Sequence, residues 1–238
     1  MKLSIVIPVY NEGQVIKETL TKLESSLKTP HEVLIVYDMD EDTTVPIVKK
    51  LQNDLKNIKL VKNLYGKGAL NALKTGLKKS QGEAVCIMMA DLTDDPKVIE
   101  KMFNLYQKNK GVVAASRYMK GGHQIGGPKF KQLLSRTAGI SLHYLTGIAT
   151  HDATNSFKLY PKKFLKETKI ESDGGFELGI ELTVKAFAKG YNISEVPTTW
   201  IYSSKESRFY LKKWLPKYLK WYFWAITHKY QSQSINNF

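Results

Sequence analysis

The first half of the chain alternates short, β-rich apolar runs with stretches whose apolar residues recur at helical spacing. Such alternation builds a mostly parallel sheet through right-handed crossovers, and it predicts a doubly wound, Rossmann-like α/β fold. The expected strands cover 3–9, 32–37, 57–61, 83–89 and 112–116, and the expected helices cover 12–27, 44–55, 66–79 and 96–108. In such a fold the carboxyl ends of the strands present the ligand-binding groups.

The second half has a different texture. A glycine-rich loop at 121–128 precedes a basic helix, a short strand at 156–160, a helix at 176–189 and an extended segment at 193–200. No internal repeat or low-complexity linker separates the two halves. We therefore expect them to pack as one continuous unit.

Carboxylates follow the fourth strand. The apolar residues 85–90 run directly into Asp91, Asp94 and Asp95. Clustered carboxylates at a strand end suit a hard divalent cation that carries phosphates, which points to an enzyme that uses a nucleotide. Asp94 or Asp95 is also the predicted N-cap of the next helix, with Pro96 at its first position.

The first three strands also end in polar segments. Residues 8–12 and 38–44 carry acids that can accept hydrogen bonds from a base or a ribose, although Glu12 and Asp42 would also suit ordinary helix N-termini. The segment Gly66-Lys67-Gly68 can let the backbone approach a phosphate, or it can be a simple glycine turn before a helix. It has neither the Walker spacing nor the dinucleotide-binding spacing.

The chain is strongly basic, with 36 Lys and Arg against 22 Asp and Glu and a net charge of +14. This balance favours an anionic partner, either a nucleotide, a nucleic acid or an anionic lipid surface. The excess concentrates at 117–136 and 203–238, and the acids at the strand ends argue against a nucleic acid. The single cysteine, Cys86, gives no intrachain disulfide, and no signal segment is apparent, so we expect a cytoplasmic protein.

The tail carries a stripe of large apolar residues with lysines off the stripe, and Pro216 is expected to begin its regular helix. The stripe consists of Leu211, Trp214, Leu215, Tyr218, Leu219, Tyr222, Phe223 and Ile226. A basic helix rich in Trp and Tyr is typical of an element that lies on an anionic membrane surface. The alternatives are that the stripe docks on the core of the protein or mediates self-association.

Taken in order, these motifs and several in the second half resemble those of family-2 glycosyltransferases with the GT-A fold. The matching segments are 8–12, 38–44, 66–69, 90–92, 116–118 with 121–122, 135–136, 152–158, 175–177, 195–197 and 207–209. The resemblance covers about residues 3–210 and is strongest to the dolichol-phosphate mannosyltransferase and polyprenyl-phosphate sugar transferase branch. It implies a nucleotide-sugar-binding half at 1–116 and an acceptor half at 117–210. The tail at 211–238 lies outside the resemblance and is expected at a membrane surface from its own pattern.

The resemblance also implies roles for individual residues. Pro8, Tyr10 and Glu12 match positions of the nucleoside pocket, and Asp38 matches the acid that reads the base. Asp91 matches a ligand of Mg²⁺ or Mn²⁺. Arg117, Lys131 and Ser135 fall in the region that meets donor or acceptor phosphate, and Asp152 matches an active-site acid near the reacting sugar. Two further candidates for phosphate contact are Lys67, from the glycine segment, and Arg208.

The chain departs from the family pattern at two places. Met89 stands where relatives carry the first Asp of the metal-binding motif, so Asp91 must hold the cation with water, phosphate oxygens, or help from Thr93 or Asp94. In the segment 200–209 the usual Arg and Gly are absent, which leaves Lys205 and Arg208 as the expected substitutes.

The expected activity is therefore inverting transfer of a sugar from a nucleotide-diphosphate donor to a polyprenyl phosphate, at the cytoplasmic face of a membrane. The alternatives are transfer to a glycan, a protein or a small molecule by the same fold, and a nucleotide-sugar-binding module without catalysis.

Overall fold

The computed structural model describes residues 1–175, 177–203 and 211–235, with no side chains described at 211, 212 and 229–235. Within these ranges the chain forms nine strands and eight helices. In chain order they are β1 (Leu3–Pro8), α1 (Ile16–Ser26), β2 (His31–Tyr37), α2 (Thr44–Leu51), β3 (Ile58–Lys62), α3 (Ala69–Lys79), β4 (Ala84–Ile87), α4 (Lys97–Asn109), β5 (Val112–Ser116), β6 (His123–Ile125), α5 (Lys129–Thr146), β7 (Lys158–Pro161), α6 (Lys162–Glu167), α7 (Leu178–Ala188), β8 (Ile193–Pro197), β9 (Thr199–Ile201) and α8 (Leu211–Ile235).

Seven strands form one sheet in the order β3-β2-β1-β4-β7-β5-β8. All neighbours are parallel except β7, which runs antiparallel to β4 and β5. The expected α/β fold is confirmed, and both halves of the sequence contribute strands to this sheet.

The extended segment expected at 193–200 divides into β8 and β9. Thr198 lies at the break, where its N–H donates to the carbonyl of Ser116 and its carbonyl accepts from the N–H of His123. It thereby links the main sheet to a two-stranded parallel ribbon of β6 and β9. The short elements β6 and α6 had no sequence prediction.

Side chains of the strands alternate between two apolar layers. Leu3, Ile5 and Ile7 pack on the side of α1 and α4, whereas Val6 packs on the side of α3 and α7. Burial on both faces explains why the strand sequences are almost continuously apolar, as parallel sheets require. The loops at the strand ends are thus held on a rigid base.

The start of α4 differs from the expectation. Pro96 stands one position before the first helical residue, Lys97, whose N–H donates to Asp95 Oδ1 at 3.1 Å. Asp94 is not a cap: its buried side chain points back toward β4, where Oδ2 accepts the N–H of Met89 at 3.2 Å.

The tail helix α8 packs against α7 and α5. It begins at Leu211 and contains Pro216, so the expectation that Pro216 begins the helix was wrong. Trp214, Trp221 and Ala225 are buried, and Lys185 Nζ lies 4.8 Å from the centre of the Trp221 ring. One face of the helix therefore docks on the core. In the described part of the chain no helix combines the length and the apolar character needed to cross a membrane.

Candidate active site

A cleft of about 1440 Å³ lies at the carboxyl ends of β1, β2, β4 and β5. Ten of the residues singled out in the sequence line it, namely Pro8, Tyr10, Glu12, Asp38, Lys67, Asp91, Thr93, Arg117, Lys131 and Ser135. Asp152 is completely buried behind the cleft wall, where two cleft-lining residues, Arg117 and Thr154, donate to its carboxylate. Arg208 and Lys205, and Phe176 at the expected start of a helix, lie outside the described residues.

Asp42 joins the first two strand ends. Its buried carboxylate accepts the N–H of Asn11 at 3.1 Å and the N–H of Thr44 at 2.8 Å. The first of these bonds steadies Asn11 in the left-handed region, with φ of 56°. Asp42 therefore shapes the part of the cleft at the ends of β1 and β2 without lining it.

Asp38 holds the glycine loop in place. Its Oδ1 accepts Asn63 Nδ2 at 2.7 Å and its Oδ2 accepts the N–H of Gly68 at 2.8 Å. Gly68 has φ of 123°, a conformation that residues with a side chain rarely adopt, and it directly precedes α3. Since each carboxylate oxygen has two lone pairs, Asp38 retains the capacity to accept a bond from a ligand.

Asp91 and Thr93 form a compact oxygen site. Thr93 donates to Asp91 Oδ1 through its N–H at 3.2 Å and through its hydroxyl at 2.7 Å. Because the hydroxyl hydrogen is used in this way, the lone pairs of Thr93 Oγ1 remain available. The backbone turns sharply between them, with Leu92 at φ of 62°.

These donors suit Mg²⁺ or Mn²⁺. No group of three or more His, Cys, Asp or Glu that could hold a metal exists in the described part of the chain. A cation held by one carboxylate, one hydroxyl, water and substrate phosphates matches the ordinary coordination of Mg²⁺. Asp94 gives no ligand because it does not line the cleft, and burial followed by the charge of Asp91 raises its pKa to about 7.

Arg117 and Asp152 form a bidentate ion pair. Arg117 Nε donates to Asp152 Oδ2 at 2.8 Å and Nη2 donates to Oδ1 at 2.9 Å, while the Arg117 N–H also donates to Oδ2 at 3.0 Å. Burial alone would raise the pKa of Asp152, but the charge and hydrogen bonds of Arg117 outweigh it and lower the pKa. Asp152 is therefore an ionised anchor for the arginine at neutral pH.

Two charged residues that the sequence reasoning missed hold the turn that carries Asp152. Glu195 on β8 accepts Thr150 Oγ1 at 3.0 Å, the His151 N–H at 2.8 Å and His151 Nδ1 at 2.6 Å. Lys158 is fully buried and donates to the carbonyls of Ala153 and Asn155. Both residues lie in the matching segments 152–158 and 195–197, but neither was given a role, because in sequence each looks like an ordinary polar position of a strand.

The ribbon of β6 and β9 forms an aromatic wall. Gln124, Trp200 and Tyr202 line the cleft, and none of the three was predicted as a site residue. The Arg117 guanidinium lies 4.8 Å from the centre of the Tyr118 ring and 6.0 Å from that of Trp200. The one hint of this wall in the sequence was the glycine pair 126–127. In the structure Gly127 has φ of 85°, and Tyr202 lies so close to it that there is no space for a side chain.

The fold and cleft agree with comparison to known proteins. The model of a family described as "Glycosyl transferase family 2" matches residues 4–169. The chain belongs to this family. The cleft and the strand-end acids that line it are therefore those of a member of this family.

Two curated relatives carry related names. The chain is 27% identical over 205 residues to the dolichol-phosphate mannosyltransferase of Pyrococcus furiosus, covering 84% of this chain and 56% of that protein. It is 26% identical over 204 residues to the polyprenol monophosphomannose synthase of Mycolicibacterium smegmatis, covering 82% of this chain and 76% of that protein. The chain thus spans little more than half of the Pyrococcus enzyme.

Solved structures show the same GT-A architecture. Staphylococcus aureus TarS 1-349 in complex with UDP-GlcNAc aligns with a TM-score of 0.69 and 21% identity, covering 96% of this chain and 69% of that one. Glucosyl-3-phosphoglycerate synthase of Mycobacterium tuberculosis, with Mn²⁺, UDP-glucose and phosphoglyceric acid, aligns with a TM-score of 0.69 and 14% identity, covering 95% and 80%. At these identities the likeness establishes the fold.

Proposed function

We propose that the protein transfers a sugar from a nucleotide-diphosphate donor to a polyprenyl phosphate, with inversion at the anomeric carbon. The observation that carries this proposal is the arrangement of the cleft. Acids at the ends of β1, β2 and β4 line one side, while Arg117, Lys131 and Ser135 line another beside the apolar residues Leu134 and Leu215. Such a cleft suits a donor on the acidic side and an acceptor that joins a phosphate to a hydrocarbon chain.

On the donor side, Tyr10 and Asp38 would contact the nucleoside, and Lys67 with the N-terminus of α3 would face the diphosphate. Asp91 and Thr93 would hold Mg²⁺ or Mn²⁺, which supplies positive charge against the departing diphosphate. The names of the curated relatives support a polyprenyl acceptor, and the complexes of structural neighbours support a metal and a nucleotide sugar.

On the acceptor side, a phosphate oxygen would attack the anomeric carbon as the bond from that carbon to the diphosphate breaks. The electron pair of the broken bond leaves with the nucleoside diphosphate, and Arg117 and Lys131 would stabilise the anionic groups electrostatically. A phosphate monoester is already anionic at pH 7, so the reaction needs no strong base. This fits Asp152, whose carboxylate is occupied by Arg117.

The names of the relatives and the basic residues near the cleft also favour peripheral association of the protein with the cytoplasmic face of a membrane, where the leaflet is anionic. The division into a donor half at 1–116 and an acceptor half at 117–210 belongs to the same proposal.

The test is incubation with GDP-, UDP- and CDP-sugars, Mg²⁺ or Mn²⁺, and detergent-dispersed polyprenyl phosphate. We expect a glycolipid with one donor class, and its loss in Asp91→Asn but not in the control Asp54→Asn, which alters an exposed acid. Transfer only to a soluble acceptor would replace the proposal by the alternative acceptor class. Donor binding without any transfer or hydrolysis would indicate a binding module.

A further inference from the structure

Two neighbouring helices leave large apolar side chains exposed. On α8 the exposed residues are Leu215, Leu219 and Phe223, the last with 59% of its surface accessible. On α5 they are Phe130, Leu133, Tyr144 and Leu145, with 62%, 62%, 77% and 49% accessible. We define the α5–α8 face as the six residues Leu215, Leu219, Phe223, Phe130, Leu133 and Tyr144. Rows of such residues on adjacent helices are unusual for a surface that meets only water.

The two rows lie on the same side of the seam between the helices. Ser141 Oγ and Tyr222 Oη form a hydrogen bond of 2.8 Å, which marks where α5 and α8 meet. An α-helix turns by about 100° per residue. Viewed along the axis of α8, the three exposed residues lie within about 100° on one side of Tyr222, and the buried Trp221 and Ala225 lie on the other side. On α5, Phe130, Leu133 and Tyr144 lie to one side of Ser141 and the buried Gly139 and Leu142 lie to the other, in the reverse sense.

This reversed order is what two parallel helices require if both are to turn their apolar rows outward. The helices are parallel, since Leu134 and Ala138 line the cleft with Leu215, and Ser141 meets Tyr222 further along both. The α5–α8 face is therefore one continuous apolar surface rather than two separate ones.

The charges of the two helices indicate the occupant. Residues 118–151, which include α5, contain no Asp or Glu, and neither do residues 211–235 of α8. Within them, α5 has three Lys or Arg residues and α8 has five. A second copy of the same face would bring like charges together, whereas an anionic bilayer accepts apolar side chains and neutralises the cations.

We infer that the α5–α8 face docks on an anionic lipid bilayer. The cleft opens beside it, because Leu134 and Ala138 of α5 and Leu215 of α8 line the cleft. If the proposed function holds, the hydrocarbon chain of a bound acceptor leaves the cleft toward the bilayer. The membrane docking itself does not depend on the identity of the acceptor.

The test is flotation with vesicles of phosphatidylcholine alone or mixed with phosphatidylglycerol, using the whole chain. We expect binding to the mixed vesicles that weakens with salt, and a loss of at least about tenfold in Leu219→Glu/Phe223→Glu, since two apolar anchors become charged. Leu64→Glu is the matched control, because Leu64 is an exposed leucine in the first half of the chain, outside α5 and α8. This variant should float with the vesicles as the wild type does. Unchanged thermal unfolding and donor binding would show that each variant is folded.

Three results would overturn the inference: no binding of the wild type to mixed vesicles, equal flotation of the double variant, or concentration-dependent dimers that the double variant abolishes without any vesicle binding. Glycolipid synthesis in detergent is measured separately. Vesicle binding without glycolipid would refute the proposed function and leave the docking surface standing.

Discussion

Arg117 and Asp152 are 35 positions apart in sequence and share two parallel hydrogen bonds, with Asp152 fully buried beneath the arginine. The pairing fixes the plane of the guanidinium against the cleft and makes Asp152 a positioning residue. It also explains why the acid is unsuited to accept a proton, since its pKa is lowered by the partner.

Asp152→Asn should destabilise the fold by about 3–5 kcal/mol, because it leaves a largely buried arginine without its counter-charge. It should also reduce turnover without shifting the acidic limb of the pH profile. Urea unfolding and initial rates across pH measure the two effects, with the exposed Asp54→Asn as control. A lost acidic limb with unchanged stability would instead make Asp152 a general base.

Met89→Asp should tighten binding of Mn²⁺ in the presence of a nucleoside diphosphate by about tenfold or more, because it adds an oxygen ligand beside Asp91 in the cleft. Asp91→Asn should lower turnover on the order of 10²–10³, the usual cost of losing a group that stabilises transition-state charge. Calorimetric titration and steady-state rates test these changes. Identical Mn²⁺ affinities in the wild type and Met89→Asp would place the metal elsewhere.

Glu195→Gln should cost about 1–3 kcal/mol of stability, because a partly buried acceptor of three hydrogen bonds loses its charge. Since the 150–152 turn leads directly to Asp152, we expect a lower kcat with little change in donor affinity. The control is Glu18→Gln, which alters an exposed pair with Lys22. A change confined to stability, with normal kcat, would limit Glu195 to a structural role.

Lys158 should make stability depend on pH. Burial lowers its pKa to about 7 from the ordinary 10.5, so between these values the unfolded chain binds a proton that the folded chain does not. Stability should therefore rise with pH above about 7, by at most about 1.4 kcal/mol per pH unit for one proton. Between pH 7 and 9 the free energy of unfolding of the wild type should rise relative to that of Lys158→Met, which lacks the titrating group. Curves of unfolding free energy against pH that run parallel would contradict the assignment.

Trp221→Ala should destabilise the protein by about 3–5 kcal/mol, because the ring is 2% exposed and packs against Lys185. Phe223→Ala, two positions along on the exposed side, should change stability by less than about 0.5 kcal/mol. Thermal unfolding of the pair distinguishes a docked tail from one that only meets lipid. Equal, small effects would mean that α8 does not stabilise the core.

Local pattern was sufficient for the sheet and for much of the cleft. The β-rich runs predicted the seven strands of the main sheet within a few residues, and the motifs after them marked ten residues that line one cavity. This worked because parallel strands must be apolar on both faces, and because their carboxyl ends meet at one edge of the sheet.

Tertiary structure decided what periodicity leaves open. The spacing of the tail showed which residues share a face, yet the packing against α5 and α7 buried Trp221 and Ala225 and exposed Leu219 and Phe223. Similarly, Asp94 and Asp95 are equivalent as helix caps in sequence, but only Asp95 reaches the helix. The sequence by itself determined the order of strands and motifs, whereas partners such as Arg117 with Asp152 and Glu195 with His151 depend on contacts between distant segments, which no local pattern encodes.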